Sequence, residues 1–132
     1  MSEKLRDEFL TILVKEFPSV RFRKYKLKSG SIRISPYVPN SRKDKRWMQL
    51  DVNPEYFSIA MDHSKGDITK DDLLRLNLPY GLNGNYSAVQ LQKNNDAVNF
   101  SIFTKEPYNF ASNEFLHFLR KHHESYLKLV GE

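Results

Sequence analysis

Apolar side chains recur at helical spacing near both ends of the chain. The first group predicts a helix from about residue 3 to 16 that ends before Pro18, because the residue before a proline disfavours the helical conformation. The second group follows Ser112, a residue type that favours a helix N-terminus, and predicts a long helix reaching about Val130. The apolar faces consist of Leu5, Phe9, Ile12, Leu13 and Phe17, and of Phe115, Leu116, Phe118, Leu119, His122, Tyr126, Leu129 and Val130.

Between these helices the pattern changes to the period of two that is typical of β-strands. Three pairs of alternating segments are joined by turns, at 20–27 with 31–35, 48–52 with 57–62, and 86–92 with 97–104. Thr69 and Asp72 have the spacing of a reciprocal helix cap and predict a short helix over about 71–76. The predicted fold class is therefore α+β. We expect a single domain with an antiparallel sheet of about six strands, in three hairpins, packed by N- and C-terminal helices.

The first predicted strand breaks its own alternation. Val20 and Phe22 share one parity and Tyr25 and Leu27 share the other, so a regular strand cannot place all four on one face. Either a β-bulge lies near 23–24, or the hairpin projects beyond the core and is solvent-exposed on both faces. The sequence leaves both alternatives open.

Composition narrows the class of protein. The chain has 132 residues, of which 39% are hydrophobic and 13% aromatic, and it has no cysteine. These values are typical of one globular domain without disulfides or thiolate metal sites. We expect the domain to span 1–132, either as a whole protein or as the leading domain of a longer one. The acidic N-terminal stretch is unlike a secretory signal, and no apolar run could span a bilayer, so we expect a cytoplasmic location.

Charge placement changes this picture most. The net charge is +5, but residues 15–46 hold eleven basic side chains against two acidic ones, a net of +9. The rest of the chain is therefore net acidic. A basic segment of this kind indicates an anionic partner, although a single solvated hairpin with lysines on its edge would also account for it.

Aromatic residues interleave with these bases, and this combination is typical of nucleic-acid binding. Arginine and lysine neutralise phosphates, arginine can also bind a base edge, and an exposed aromatic ring can stack on an unpaired base. We therefore expect a non-catalytic nucleic-acid-binding domain, with DNA favoured over RNA. Arg33 is the candidate for reading a base, and Tyr25 and Trp47 are the candidates for stacking. The predicted binding residues are Arg21, Arg23, Lys24, Tyr25, Lys26, Lys28, Arg33, Arg42, Lys43, Lys45, Arg46 and Trp47.

Two other classes of function remain open. The same basic surface could bind an acidic protein, as in an assembly module or an accessory protein of a phage or a host-defence system. A small nuclease is the third class, and His63, Lys65 and Arg75 are its nearest candidate acid–base set. A binding module accounts for every feature of the sequence and an active site for few of them, so we expect no catalysis.

Cofactor and metal motifs are missing from the sequence. There is no phosphate-binding glycine loop of the nucleotide-binding kinds, and the glycines at Gly81 and Gly84 follow a short predicted helix rather than opening one. Three of the four histidines lie on the last helix at spacings that do not suit zinc. We expect His122 to pack in that helix face and His117 and His123 to be solvated. We therefore predict no cofactor and no metal ion.

The same periodicities predict one shared core. Each of its expected members lies on the apolar phase of its element: Phe9, Leu13, Leu50, Ile59, Phe100, Ile102, Phe115 and Leu119.

Overall fold

A computed structural model of the chain describes residues 2–39, 44–79, 86–91 and 95–131, with 86–91 described along the backbone. It contains three helices, α1 (Ser2–Glu16), α2 (Lys70–Leu74) and α3 (Asn113–Gly131). The strands are β1 (Arg21–Lys26), β2 (Ile32–Tyr37), β3 (Met48–Val52), β4 (Tyr56–His63), β5 (Tyr86–Leu91) and β6 (Asp96–Phe103). The α+β class is confirmed, with helices at both ends of the chain.

The sheet is antiparallel and its strand order is β1-β2-β3-β4-β6-β5. Five of these strands have described side chains, and β5 pairs along its backbone with β6 at the outer edge. The predicted count of about six strands in three hairpins stays a prediction, because the connection at 92–94 lies outside the described residues.

All eight predicted core residues are buried, so that prediction is confirmed. Phe9 of α1 packs against Phe57 of β4, with ring centroids 5.9 Å apart, and Phe115 of α3 packs against Phe100 of β6 at 6.4 Å. Both terminal helices therefore cover the same face of the sheet. The opposite face has no helix packed against it in the described part of the chain, and we call it the open face.

Strand register assigns each side chain to a face. Ile34 of β2 lies opposite Leu50 of β3, and both are buried beneath the helices. Because neighbouring residues alternate, Arg33 and Gln49 point to the open face. Tyr25 pairs directly with Arg33 across β1 and β2, so it shares that face.

The break in alternation on β1 is resolved without a bulge. The pairing of β1 with β2 runs without interruption from Arg21↔Tyr37 to Lys26↔Ile32. Most of β1 is solvent-exposed on both faces, and Phe22 is only partly buried. The hairpin of β1 and β2 therefore projects from the core. Because neither face of β1 is fully buried, its apolar residues need not all share one face.

Capping interactions fix the two later helices. Thr69 and Asp72 form the predicted reciprocal cap at the start of α2. Lys121 of α3 donates to both carboxylate oxygens of Asp72 at 2.9 Å. This contact, together with the backbone bond that Thr69 donates to Asp72, lowers the pKa of Asp72 although its burial acts in the opposite direction. Ser112 accepts from the backbone N–H of Phe115 at 3.2 Å and caps α3 as predicted.

Among the described residues, no helix combines the length and the apolar character that crossing a bilayer requires.

Candidate nucleic-acid interface

Two arginines on the open face are held in fixed positions by carboxylates. Arg33 makes a bidentate pair with Asp51 of β3, with Nε to Oδ1 at 2.8 Å and Nη2 to Oδ2 at 3.0 Å. The same hydrogen bonds raise the pKa of Arg33 above its ordinary value. Arg46 donates from Nε to Oδ2 of Asp62 at 3.2 Å. Such pairing orients a guanidinium plane and leaves part of its donor set for other groups.

Gln49 connects these arginines. Two guanidinium groups face its carboxamide, so the amide is oriented with its oxygen toward them. In that orientation the oxygen accepts from Nη1 of Arg46 at 2.5 Å and from Nη1 of Arg33 at 3.3 Å. Arg33, Gln49 and Arg46 therefore form one hydrogen-bonded row across β2, β3 and the residue pair before β3, with Gln49 accepting from both guanidinium groups.

A cavity of about 360 Å³ lies over this row. We call it the arginine cavity, and it is lined by Tyr25, Leu27, Arg33, Ser35, Arg46 and Gln49. Tyr25 is 47% exposed, so it can contact a bound molecule. The cavity therefore combines guanidinium donors, an amide and an accessible aromatic ring.

A second contact joins β1 to the loop before β3. Nη1 of Arg23 donates to the backbone oxygen of Asp44 at 2.8 Å, and its guanidinium carbon lies 4.0 Å from the ring centroid of Tyr37. Asp44 has a φ of 47°, in the left-handed region that aspartate tolerates better than most residues. Arg23 thus holds the described end of the basic loop against the open face.

The lysines of the hairpin differ from these arginines. Lys24, Lys26 and Lys28 are exposed, and none has an acidic partner in the ranges that the structure describes. Arg21 instead donates to the backbone oxygens of Pro18 and Val20. The lysines are therefore the basic groups of this hairpin whose charge is least compensated. We call these three residues the lysine ribbon.

Other predicted binding residues lie elsewhere. Lys45 is half-buried, and its carbonyl accepts a hydrogen bond from the Tyr126 hydroxyl. Arg42 and Lys43 lie outside the described residues.

The assignment of Trp47 as a stacking residue is wrong. Its side chain is fully buried, and its ring is 5.4 Å from Tyr126 in a stacked arrangement and 5.3 Å from Phe17 edge-on. Trp47 precedes β3, and its backbone N–H donates to the oxygen of Pro36 in β2, where the pairing register shifts by one residue between Ile34↔Leu50 and Tyr37↔Arg46. The chain therefore turns this side chain toward α3 and away from the open face.

Sequence reasoning missed a buried chain of polar side chains. Nε1 of Trp47 donates to Nδ1 of His122 at 2.9 Å, and Nε2 of His122 lies 3.1 Å from Nδ1 of His63. Both histidines are fully buried. Burial lowers the pKa of His63 and lowers that of His122 still further. His122 packs in the helix face as predicted.

The expectation that His123 is solvated needs correction. His123 is only partly exposed, because its ring stacks on Phe17 at 4.3 Å, and burial lowers its pKa. His63, the candidate acid–base residue, ends β4 and is fully buried, so it cannot reach a bound polymer as a general acid or base in this conformation. A sequence signal for His63 existed, since it continues the core parity of Phe57, Ile59 and Met61 along β4.

Within the described ranges, no three side chains of the metal-binding types lie close enough to share an ion. Comparison with protein-family models gives no match, and neither curated proteins nor solved structures contain a significant match to this chain.

Proposed function

We propose that the protein is a non-catalytic domain that binds single-stranded nucleic acid on the open face and along the lysine ribbon. DNA is the form that we expect, and the cytoplasm is the expected location. The observation that carries the proposal is the helix-free sheet face that bears the exposed Tyr25 and the fixed guanidinium groups of Arg33 and Arg46. Lys24 and Lys26 pair with Ile34 and Ile32, so they point to the other face of the projecting hairpin, and a bound strand reaches them by crossing the β1 edge.

The lysine ribbon supplies the expected phosphate contacts. A lysine without an acidic neighbour gains most from a phosphate, because no existing ion pair is broken and condensed counterions are released from the nucleic acid. Among the residues that the structure describes, Lys24, Lys26 and Lys28 meet this condition, whereas Arg33 and Arg46 are already paired with carboxylates. We therefore assign backbone contacts to the lysines and base contacts to the arginine cavity, with the strand passing over the exposed edge of β1 between them.

The sheet face favours unpaired bases over a duplex. Bases in a single strand expose their faces and edges, and proteins bind them with an aromatic ring and a polar surface. Tyr25 presents such a ring next to Arg33. A duplex would instead have to accept the projecting hairpin in its major groove, which a two-stranded ribbon can enter. The bases of a duplex are stacked and present only their edges in the groove, so the ring in the cavity would have no base face to contact.

Fluorescence-anisotropy titrations test the proposal. Single- and double-stranded DNA and RNA of one sequence are compared at about 50 mM and about 200 mM salt. We expect the single-stranded DNA to bind most tightly, with affinity that falls steeply with salt. Tighter binding of the duplex would transfer the assignment to groove insertion by the hairpin, and no binding of any nucleic acid would reject it.

An acidic protein is the second candidate partner, and one observation favours it. Strand β1 forms the edge of the sheet and pairs only with β2 among the described strands. An extended acidic peptide could add to this edge through backbone hydrogen bonds while its carboxylates meet the lysine ribbon. Capture of one acidic protein, together with an absence of nucleic-acid binding, would favour this candidate.

A further inference from the structure

We infer that the arginine cavity selects guanine among the unpaired bases of the bound strand. This inference rests on the proposed function, and it names the base that the cavity accepts. Guanine presents two neighbouring acceptors, O6 and N7, on one edge, and a guanidinium group can donate to both at once. The cavity combines two such groups with the amide of Gln49.

The donors of the cavity are positioned before any ligand binds. Each guanidinium carries five N–H donors. The bonds to Asp51 and Gln49 use three on Arg33, and the bonds to Asp62 and Gln49 use two on Arg46. The remaining N–H groups belong to guanidinium planes whose orientation these bonds already fix. Ligand binding therefore loses little side-chain entropy in ordering them.

Charge compensation favours a base over a phosphate at this position. Arg33 is paired with Asp51, and Arg46 with Asp62, so the four side chains together carry no net charge. A phosphate brought here would meet two carboxylates as well as two guanidinium groups. A neutral, acceptor-rich base edge uses the donors without that repulsion.

The aromatic ring completes the match. Tyr25 lies directly across the strand pair from Arg33 and lines the same cavity. Its exposed ring can cover the face of a base whose edge meets the arginines. A planar ligand with acceptors on one edge therefore fits the arrangement better than a tetrahedral anion does.

The experiment compares oligothymidylates of about ten nucleotides, within the usual site size of such domains, that differ only in one central base. The central base is guanine, adenine, inosine or 7-deazaguanine. Inosine keeps both O6 and N7, whereas 7-deazaguanine lacks the N7 acceptor and adenine has a donor in place of O6. We expect guanine and inosine to bind at least about fivefold more tightly than adenine and 7-deazaguanine, the lower limit for one bidentate contact.

Two charge-conserving variants locate the effect in the protein. Arg46→Lys keeps the charge but removes the planar donor fork, and Arg21→Lys makes the same change outside the cavity. We expect the guanine preference to disappear in the first variant and to persist in the second. Because the modified bases test the cavity in the unaltered protein, the result does not depend on the folding of either variant.

The outcomes separate this inference from the proposed function. Equal affinity for all four central bases, with tight overall binding, would overturn guanine selection and leave the proposed function intact. Absence of binding to every oligonucleotide would overturn the proposed function. In that case guanosine monophosphate and adenosine monophosphate are compared as free ligands, and a preference for the guanine nucleotide would place the cavity's ligand among free nucleotides. Binding of neither nucleotide would overturn the inference as well.

Discussion

Trp47 Nε1 donates a hydrogen bond to Nδ1 of His122 across the buried junction between β3 and α3, at 2.9 Å. Indole nitrogen is only a donor, so Nδ1 of His122 accepts, and the neutral ring carries its proton on Nε2. Nε2 of His122 lies 3.1 Å from Nδ1 of His63 and donates this proton to it. Because Nδ1 of His63 accepts, a neutral His63 carries its proton on its own Nε2. One tryptophan therefore sets the tautomers of two histidines.

Stability should fall as the pH drops below about 6.5, the ordinary histidine pKa in an unfolded chain. Burial lowers the folded-state pKa of His63, His122 and His123, against opposing charges from Asp62, Asp67 and Asp96 at His63 and from Glu124 at His123. In that range the unfolded state binds protons that the folded state does not. The unfolding free energy should decrease by up to about 1.4 kcal/mol per pH unit for each such histidine.

Urea unfolding between pH 8 and pH 5 measures this effect. The curve should be flat above pH 7 and should decline below it. The pKa of Asp67 is also lowered, mainly by its hydrogen bond from Lys128. This shift changes the unfolding free energy only near and below pH 4, outside the range in which the histidines titrate. Stability that rises as the pH falls from 7 to 5 would contradict neutral buried histidines.

Trp47→Phe should destabilise the protein by about 1–3 kcal/mol beyond its loss of volume, because it leaves the buried Nδ1 of His122 without its donor. It should also release the tautomer of His122, which ¹⁵N chemical shifts of the imidazole ring detect. Phe17→Leu serves as the control, since Phe17 contacts the same indole ring but makes no hydrogen bond to His122. An unchanged tautomer in Trp47→Phe would show that another contact fixes it.

The sequence predicts the layers of this fold well because they follow local periodicity. Phe9 and Leu13 lie one helical turn apart, and Leu50 and Ile59 keep the period of two along paired strands. Met48 faces the core, so strict alternation predicts that Trp47 points to the open face. That prediction is wrong because the chain bends before β3 begins. The contact of His63 with His122 joins residues 59 apart in sequence, and no local pattern contains it.

The sequence predicts the composition of the candidate site but not its arrangement. Basic and aromatic residues of 21–46 do meet on the open face, at Tyr25, Arg33 and Arg46. Their carboxylate partners Asp51 and Asp62 come from later strands, so the division between paired arginines and the lysine ribbon requires the tertiary structure.

Leu50→Ala should lower the unfolding free energy by about 2–5 kcal/mol, because Leu50 is fully buried between the sheet and the helices. Val14→Ala is the matched control. Val14 lies on α1 with 47% of its surface exposed, and its truncation should change stability by less than about 0.5 kcal/mol. Chemical denaturation of both variants checks the prediction, and similar losses in the two would contradict the assignment of the core.

We propose that the lysine ribbon binds the backbone of a single strand, and a charge-matched pair of variants tests this contact. One variant replaces Lys24, Lys26 and Lys28 with Ala, and the other replaces the exposed lysines Lys4, Lys15 and Lys105. The measurement is the dissociation constant for a single-stranded DNA at several salt concentrations.

The ribbon variant should bind roughly 10- to 100-fold more weakly at low salt, on all sequences alike, because three cations that neutralise phosphates are removed. Its salt slope should flatten by about 0.7 for each phosphate of a single strand that is no longer neutralised. The control variant has the same net charge and should retain nearly all of the wild-type affinity and slope. Equal weakening in both variants would show that only net charge matters, and unchanged binding by the ribbon variant would contradict the proposed interface.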